Sequence, residues 1–520
     1  MTTRRNFLHS AAFGTAALGM PELFIQALRT AAGADTTKAV KEVFDLVSPE
    51  SQGISSSAII NFIEEANKCA YEWHSFILLR HGKKIAEAYW NPFEKGGKHT
   101  LYSLSKSFTS SAIGMLVDDG LLKVTDKVID FFPESLPAVV SDNLKAMTVH
   151  PLLCMNTGHD TDTMPVLRTN ENKTWVQNFL AHPVIHTPGS HFLYNTGATY
   201  MQSAIVQKVS GKKLVDFLKP RLFDPLGIMD YDWEESPQGI NTGGYGLRVS
   251  TESIARFGQL YLNEGTWEGK RILSKAWIDE ATKFQSSSQD NDSDWGQGYG
   301  YQFWRCKPGF YRGDGAYGQY CIVMPQFDAV LAINSESWDM GKSMQIAWDT
   351  LLPAFEDNAL PEDKTSHKKL KDTIAGLTLA TKPSDSSIIA KMSGKKMEYR
   401  LGDNDYKIQK AMINFDSKGS TLNLDGKKMR FVYNGWSKNK GIDYPLLPQG
   451  SNQQGIPFAG TAAWIEPQKL LLHVKFVEGI HSDLITIDFT QNGITLSMNG
   501  SVMNSRSQKD NRKEITGELV

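Results

Sequence analysis

Cysteine is scarce in this sequence, with 4 residues in 520. The four are widely spaced and no Cys-x-x-Cys pair occurs, so the sequence indicates neither a disulfide scaffold nor a zinc site. Cys306 and Cys321 could pair, but four ordinary buried thiols are the simpler interpretation. We therefore expect no metal, and no motif for an organic cofactor is present either.

An excess of one charge is also absent. The chain carries 55 Lys and Arg against 57 Asp and Glu, a formal net charge of −2. Proteins that bind nucleic acid by neutralising phosphates usually show a basic excess or a basic stripe, so no nucleic-acid partner is expected. No run reaches the roughly 18 apolar residues that a spanning helix needs, so no transmembrane segment is predicted.

The composition that is present is globular, with 41% hydrophobic, 22% charged and 10% aromatic residues. Disordered and fibrous chains differ from this pattern. At about 150 residues per domain, the length predicts roughly two to four domains or sub-domains.

The N-terminus has the order of features that is typical of an export signal. A twin arginine, Arg4-Arg5, precedes a mildly apolar run over residues 11–20, and residues 32–34 (Ala-Gly-Ala) offer a cleavage site. This order resembles a bacterial twin-arginine export signal. We therefore predict that residues 1–34 are an export signal and that the protein is periplasmic or secreted. The alternative is a basic start followed by an amphipathic helix.

Hydrophobic periodicity predicts the elements of the first two thirds of the chain. Two β-rich runs joined by a Gly-containing turn indicate a hairpin, and apolar residues at helical spacing before Gly120 indicate a helix. The predicted strands are 75–79, 85–90, 299–305, 317–323 and 329–334, and the predicted helices are 103–119 and 343–355.

The composition changes again after Glu356. Residues 357–370 are charged and polar, which is typical of a linker. Beyond them, short β-like runs separated by polar turns predict a small all-β sandwich or barrel over 371–520. These runs are 397–401, 411–415, 421–424, 429–433, 470–476, 484–489 and 494–498.

The strongest chemical signal lies in residues 101–106. Ser103 and Lys106 are three residues apart, so on a helix that begins at Ser103 both side chains lie on one face. A serine hydroxyl needs a base to become a nucleophile, and a lysine serves only when its pKa is lowered. The Ser-x-x-Lys spacing recurs elsewhere in polar or turn-like contexts, whereas Ser103 starts an apolar helix directly after a hairpin.

A second segment, Tyr194-Asn195-Thr196, precedes an apolar helical run. With Ser-x-x-Lys, it resembles the serine hydrolase family of class C β-lactamases, D-alanyl-D-alanine peptidases and related esterases, in which a Tyr-x-Asn motif follows about ninety residues later. The resemblance covers roughly residues 48–355. Supporting stretches are 49–53, 126–133, 152–158, 243–247 and 295–301.

The resemblance implies an α/β (α+β) fold of the β-lactamase/transpeptidase type over 45–356. An antiparallel sheet flanked by helices would be built from about 45–120 and 290–356, with a mostly helical sub-domain over 121–290. The all-β domain over 371–520 would follow it.

The resemblance also implies roles for individual residues. Ser103 would be the acylated nucleophile, Lys106 its proton acceptor, and Tyr194 a relay between Ser103 and the leaving group. Which of Lys106 and Tyr194 is the general base stays open. The oxyanion would lie between the backbone N–H groups of Ser103 and Tyr317.

Two positions depart from the family pattern. Thr196 stands where the family usually has Asn, and the adjacent Asn195 points a different way, so it is no automatic substitute. Asp314 stands where the third motif usually has a cation. A carboxylate there would raise the pKa of Lys106 and would not hold an anionic substrate. A neutral or cationic ester or amide is therefore predicted rather than penicillin or a cell-wall peptide.

The sequence thus predicts an exported serine hydrolase that cleaves an ester or amide bond of a small molecule or peptide through a Ser103 acyl-enzyme. One alternative is a cell-wall D-amino-acid peptidase or β-lactamase, and another is a catalytically silent binding protein on the same fold. In ordinary structural terms, Ser103 could be a helix N-cap, Tyr194 a core aromatic and Asp314 a turn residue. The substrate and the oligomeric state stay open.

Overall fold

Residues 43–447, 455–502 and 509–520 are described by the computed structural model. Phe44–Val520 belong to one compact unit. The predicted export signal, residues 1–34, lies outside the described residues. Among the described helices, none combines the length and the apolar character that crossing a membrane requires.

Strands and helices are numbered along the chain. The strands are β1 Glu72–Arg80, β2 Lys83–Tyr89, β3 His99–Thr100, β4 Asp232–Trp233, β5 Leu247–Val249, β6 Thr266–Trp267, β7 Lys270–Arg271, β8 Trp304–Arg305, β9 Tyr311–Gly315, β10 Gln319–Met324, β11 Ala329–Glu336, β12 Lys396–Leu401, β13 Lys410–Asp416, β14 Gly419–Leu424, β15 Lys427–Tyr433, β16 Ser437–Asn439, β17 Phe458–Glu466, β18 Lys469–Phe476, β19 Ser482–Phe489, β20 Gly493–Gly500 and β21 Ile515–Leu519. The α-helices are α1 Ser56–Lys68, α2 Ser105–Asp118, α3 Val128–Phe131, α4 Asp142–Ala146, α5 Val149–Leu153, α6 Met164–Leu167, α7 Trp175–Ala181, α8 Thr196–Ser210, α9 Leu214–Leu218, α10 Asp224–Leu226, α11 Thr251–Leu262, α12 Lys275–Thr282, α13 Met340–Thr350, α14 Lys364–Ala375 and α15 Ser386–Met392.

The central sheet is antiparallel, with the strand order β2-β1-β11-β10-β9-β8. The hairpin β1–β2 pairs with strands far downstream, Phe76 lying opposite Ile333, so two separate parts of the chain build one sheet. Helices α1 and α13 share an apolar core with one face, and α11 packs on the other. Helices α2 to α12 lie between β2 and β8 along the chain. The predicted fold of a sheet flanked by helices with a helical sub-domain is confirmed.

The strands near the third motif differ from the prediction. Of the predicted strand 299–305, only Trp304–Arg305 is extended in a ladder, and the strand Tyr311–Gly315 was not predicted. Its sequence Tyr-Arg-Gly-Asp-Gly has two glycines, which are depleted in strands. They are required here because β9 passes close to residues 101–107. A Cβ on Gly315 would meet the Leu101 carbonyl, and one on Gly313 would meet the Leu104 and Ser107 side chains. Cys306 and Cys321 are free thiols, as are the other two cysteines.

In the structure, residues 357–370, which were predicted to be a linker, include the start of helix α14. This helix begins at the N-cap Asp363 and packs against α1, where the Ser57 and Ser366 hydroxyls lie 3.3 Å apart. Leu370 is its one fully buried side chain, and the remaining surface is charged. A helix that buries so little has a polar composition, which explains why it resembled a linker.

The C-terminal strands form a barrel. Strands β12 to β21 make one sheet, and a parallel pairing of β15 with β17 closes it. Its interior holds a separate apolar core that includes Phe431, Leu472 and Ile485. The prediction of a C-terminal all-β domain is confirmed, and of the two predicted forms the structure shows the barrel. Three strands, β16, β17 and β21, had not been predicted.

Candidate active site

Ser103 lies on a short 3-10 turn, Tyr102–Leu104, that leads directly into α2. The preceding residue, Tyr102, has a φ of 48°, which is unusual for a side-chain-bearing residue and strains the backbone there. The first hydrogen bond of the turn runs from the Leu104 N–H to the Leu101 carbonyl, at 3.1 Å. The Ser103 N–H therefore lies in the first turn, where helix donors lack an internal acceptor.

Lys106 projects from the first turn of α2 toward Ser103, and its side chain is buried. Its Nζ lies 3.0 Å from Ser103 Oγ, 2.7 Å from the Gly244 carbonyl oxygen and 3.4 Å from Thr196 Oγ1. A neutral amine has two hydrogens and one lone pair. The carbonyl and the Thr196 hydroxyl can accept the two hydrogens, which leaves the lone pair for the Ser103 hydroxyl.

The protonation of Lys106 is decided by burial. Loss of solvation lowers the pKa of Lys106 to about 7, although the carboxylates of Asp162 and Asp314 act in the opposite direction. The sequence indicated that Asp314 would raise this pKa. The carboxylate does so, but burial is the larger effect. Near pH 7 a substantial fraction of Lys106 is the free base.

The Tyr194 side chain lies beside both Ser103 and Lys106. Its ring stacks on Trp304, with centroids 5.5 Å apart, and Lys106 Nζ lies 4.9 Å from its centroid. Burial raises the pKa of Tyr194, and hydrogen bonding to Ser103 offsets only part of this rise. Tyr194 is thus a neutral phenol, whereas Lys106 is the group whose pKa is moved toward neutrality.

The backbone around Tyr317 supplies the second candidate donor for an oxyanion. The Tyr317 carbonyl accepts hydrogen bonds from the Ser337 N–H at 2.9 Å and the Ser335 hydroxyl at 2.8 Å, which fixes the turn. Among the described residues, no acceptor lies within hydrogen-bond distance of the Tyr317 N–H. A free N–H on a fixed turn is what stabilisation of a developing oxyanion requires.

Gly315 is the point of closest approach between β9 and the Ser103 turn. A Cβ there would lie 2.1 Å from the Leu101 carbonyl oxygen and 3.1 Å from Leu104 N. Any side chain would push β9 away from the turn. Glycine at this position therefore keeps the two candidate oxyanion donors, the N–H groups of Ser103 and Tyr317, close together.

We expect Gly315→Ala to lower both stability and reactivity. Overpacking of this kind typically costs about 1–3 kcal/mol of unfolding free energy. Urea unfolding and the rate of labelling by a fluorophosphonate measure the two effects. Gly341→Ala is the matched control, because a Cβ there meets its nearest atom at 3.6 Å. Equal behaviour of the two variants would contradict the tight approach.

Asp314 is placed on β9 but does not present a free carboxylate to the cleft. It is buried, and its Oδ2 accepts a hydrogen bond from Arg312 Nε at 2.9 Å. Burial raises the pKa of Asp314, while Arg312 and a hydrogen bond from Trp295 oppose the rise. Because Arg312 balances it, the pair adds little net charge to the site.

Asn195 is not brought to the Ser103 hydroxyl. Its Oδ1 accepts hydrogen bonds from the Thr163 N–H and hydroxyl, at 3.1 and 2.7 Å, and its Nδ2 donates to Thr157 Oγ1 at 3.3 Å. The side chain therefore joins two loops of the helical part, and Thr196 is the neighbour that reaches Lys106. This separation follows from the start of α8 at Thr196, where successive side chains diverge.

One further cluster resembles a metal site. Glu72, His74 and Glu336 place potential ligand atoms within 4.8 Å of one another. The Lys475 ammonium, however, donates to both carboxylates, lying 2.6 Å from Glu336. It already supplies the positive charge that a metal ion would bring, so the residues do not fit a cation site.

A protein-family model described as Beta-lactamase matches residues 70–354, more than half of the chain. The chain belongs to the beta-lactamase family. The match spans the sheet, the helical part and the Ser103, Lys106 and Tyr194 side chains, and the resemblance inferred from the motifs is confirmed.

This beta-lactamase-family protein is similar to two curated relatives. One is "6-aminohexanoate-dimer hydrolase" of Paenarthrobacter ureafaciens, 24% identical over 285 residues, covering 51% of this chain and 72% of the relative. The other is "Lovastatin esterase" of Penicillium rubens, 27% identical over 152 residues, covering 25% of this chain and 38% of the relative. A solved family VIII carboxylesterase aligns at 16% identity with a TM-score of 0.46, covering 60% of this chain and all of that one. By its family match, the chain is a serine hydrolase related to beta-lactamases.

Several residues around the site had no signal in the sequence. Arg312 and Trp304 follow no motif, and their role as a buried cation and a stacking ring becomes visible only when β8 and β9 pair. His481 lies in the C-terminal barrel, far along the chain, yet contacts the residue before Ser103. A single histidine in a turn gives no pattern that could have indicated this contact.

Proposed function

We propose that this protein hydrolyses an ester or amide bond through an acyl-enzyme on Ser103. The observation that carries the proposal is that Lys106 Nζ lies 3.0 Å from Ser103 Oγ and that burial lowers the pKa of Lys106 to about 7. A lysine in this state removes a proton at neutral pH, which an exposed lysine does not.

The steps follow from the contacts. Lys106 Nζ takes the proton of the Ser103 hydroxyl as Oγ bonds to the substrate carbonyl carbon. The N–H groups of Ser103 and Tyr317 stabilise the resulting oxyanion. Tyr194 donates its proton to the leaving oxygen or nitrogen and is reprotonated from Lys106. Water then attacks the acyl-enzyme by the same route in reverse, which releases the acid and restores Ser103.

The substrate is proposed to be neutral or cationic at the reacting end. Arg312 and Asp314 offset one another, so no unpaired cation of β9 is available to hold a substrate carboxylate. This favours a simple ester or amide over penicillin or a cell-wall peptide. The names of the two relatives, an esterase and an aminohexanoate-dimer hydrolase, support this choice of bond.

Intact-mass spectrometry after exposure to a fluorophosphonate tests the proposal. A single adduct on the parent protein, absent from Ser103→Ala, is expected. Neutral, cationic and anionic esters and amides, benzylpenicillin and D-amino-acid peptides are then compared by kcat/KM. Saturable acylation by penicillin would instead favour a β-lactamase or D-amino-acid peptidase. No adduct on a folded parent would favour a silent binding protein.

We propose further that the protein is exported, on the support of Arg4-Arg5, the apolar run and the small-residue cleavage site. Such signals are recognised by a receptor. We expect Arg4→Lys/Arg5→Lys, which keeps the charge, to retain the unprocessed protein in the cytoplasm of a Gram-negative host. Fractionation and the N-terminal mass measure this. Arg29→Lys is the control. Full periplasmic recovery of the double variant would refute dependence on the twin arginine, and a parent protein that stays unprocessed in the cytoplasm would refute export.

A further inference from the structure

The turn between β18 and β19 of the barrel packs against the beta-lactamase-family part of the chain, residues 70–354, which is called the catalytic part below. The carbonyl of Glu478 accepts hydrogen bonds from the Thr100 N–H and from the Thr100 hydroxyl, each at 3.1 Å. The Glu478 carboxylate lies 3.2 Å from Arg248 Nη1. Thr100 lies on β3 and Arg248 on β5 of the small sheet of β3, β4 and β5, and β3 directly precedes the Ser103 turn. The barrel therefore touches the segment that leads into the nucleophile.

His481, at the end of this turn, joins the barrel to Tyr102. Its Nε2 lies 2.8 Å from the Tyr102 hydroxyl, and its Nδ1 lies 2.9 Å from Glu336 Oε1. Burial alone would raise the pKa of Glu336. The charge of Lys475 and the hydrogen bond with His481 outweigh burial and hold this pKa at about 2. Because Glu336 stays ionised, Nδ1 carries a hydrogen and donates to it, which aims Nε2 at Tyr102.

Tyr102 and Tyr317 are two of the residues outside the barrel that His481 contacts. Their rings pack edge to face with centroids 5.2 Å apart, and the His481 ring lies 4.8 Å from that of Tyr317. Both residues have positive φ, 48° and 66°, which side-chain-bearing residues rarely adopt. Strained backbone of this kind persists only where its surroundings hold it in place.

We propose that His481 is a positioning residue of the active site. The barrel supplies it, Glu336 orients it, and through the Tyr102 hydroxyl and the Tyr317 ring it holds the Ser103 nucleophile and the Tyr317 N–H at the distance that acylation requires. It touches neither substrate nor reacting atoms. The C-terminal barrel is thus part of the hydrolase site. This inference rests on the proposed function, because it concerns the acylation of Ser103.

The contact can be tested with two substitutions that differ in reach. The amide of His481→Gln extends to the place of Nε2 and can still bond the Tyr102 hydroxyl. The amide of His481→Asn reaches only the place of Nδ1, so it keeps the bond to Glu336 and loses Tyr102. A displacement of about 1 Å can cost on the order of 10²-fold in rate. We expect His481→Asn to lower kcat for an activated ester about 10- to 100-fold, with KM changed less than about threefold. We expect His481→Gln to keep most of the parent kcat.

A double-mutant cycle with Tyr102→Phe separates positioning from general destabilisation. If the hydroxyl–imidazole bond carries the effect, Tyr102→Phe lowers kcat similarly, and adding His481→Asn lowers it little further. His473→Asn is the matched control, because His473 lies on β18 and packs against Trp436 instead. Thermal unfolding of every variant is recorded, and His473→Asn is expected to leave kcat unchanged.

The outcomes distinguish this inference from the proposed function. If the parent protein forms no Ser103 adduct with the fluorophosphonate, the proposed function fails and this inference fails with it. If the parent reacts but His481→Asn has the parent kcat, only the positioning role is overturned. Additive effects in the cycle, or equal losses for His481→Gln and His481→Asn, also contradict it.

Discussion

We expect Ser103→Ala to remove the proposed ester hydrolysis, with kcat/KM falling by about 10⁴-fold or more. This is the scale expected when the attacking oxygen of a serine hydrolase is deleted, because binding and oxyanion stabilisation alone leave only a small residual rate. The substitution removes one hydroxyl from a partly exposed turn, so the fold should be unaffected. The measurement is kcat/KM for an activated ester such as p-nitrophenyl acetate, with mass spectrometry of the trapped acyl-enzyme.

Ser110→Ala is the matched control for this loss. Ser110 lies on α2, the helix that follows the Ser103 turn. It is buried, and its hydroxyl has no hydrogen-bond partner among the described residues. Removing it deletes a serine oxygen of α2 without breaking a hydrogen bond, and we expect the parent kcat/KM. If Ser103→Ala retained more than a tenth of the parent rate, the nucleophile would have to be sought elsewhere.

The core of the candidate site could be predicted because its signal is local. Ser103 and Lys106 are one helical turn apart, so the sequence alone places them on one face of a helix. The motif containing Tyr194 lies at the start of a second apolar helix, and the structure brings this helix against the first. Short-range spacing and family resemblance were sufficient for these three side chains.

Other parts of the site depend on long-range pairing and could not be predicted. Strand β9 is rich in glycine because Gly315 must approach the Leu101 carbonyl, so a local propensity scale argues against the strand. His481 reaches Tyr102 only through the insertion of a barrel turn. The charge at Asp314 was interpreted without Arg312, which the antiparallel pleat places on the same face of β9, two residues away.

The pKa of Lys106 shows why a charge inferred from sequence can mislead. Two carboxylates, Asp162 and Asp314, favour the charged ammonium, and by charge alone Lys106 would be a poor base. The loss of water around the amine is the larger effect, and it depends on how completely α2 and the Gly244 loop enclose it. Burial is a property of the packed molecule, so only the structure reveals that the free base is accessible near neutral pH.

We expect Lys106→Met to lower kcat/KM by roughly 10²- to 10⁴-fold, the range that general bases typically contribute. For the parent, the pH profile follows from the pKa of about 7. Lys106 acts as the neutral amine, so kcat/KM rises about tenfold per pH unit below pH 7 and levels off above it. The methionine variant should keep the fold, since it fills similar volume without a charge, and should lose this pH dependence. Retention of the parent profile in Lys106→Met would show that another group is the base.

Asp162→Asn tests the assignment of that profile more sharply. Asp162 Oδ1 accepts hydrogen bonds from the Thr196 N–H at 2.8 Å and the Met164 N–H at 3.0 Å, and an asparagine oxygen can accept both. The substitution therefore removes a charge with little change in shape. Because Asp162 raises the pKa of Lys106, its neutralisation should move the midpoint of the kcat/KM profile to lower pH. A midpoint that stays in place or rises would mean that the titrating base is not Lys106.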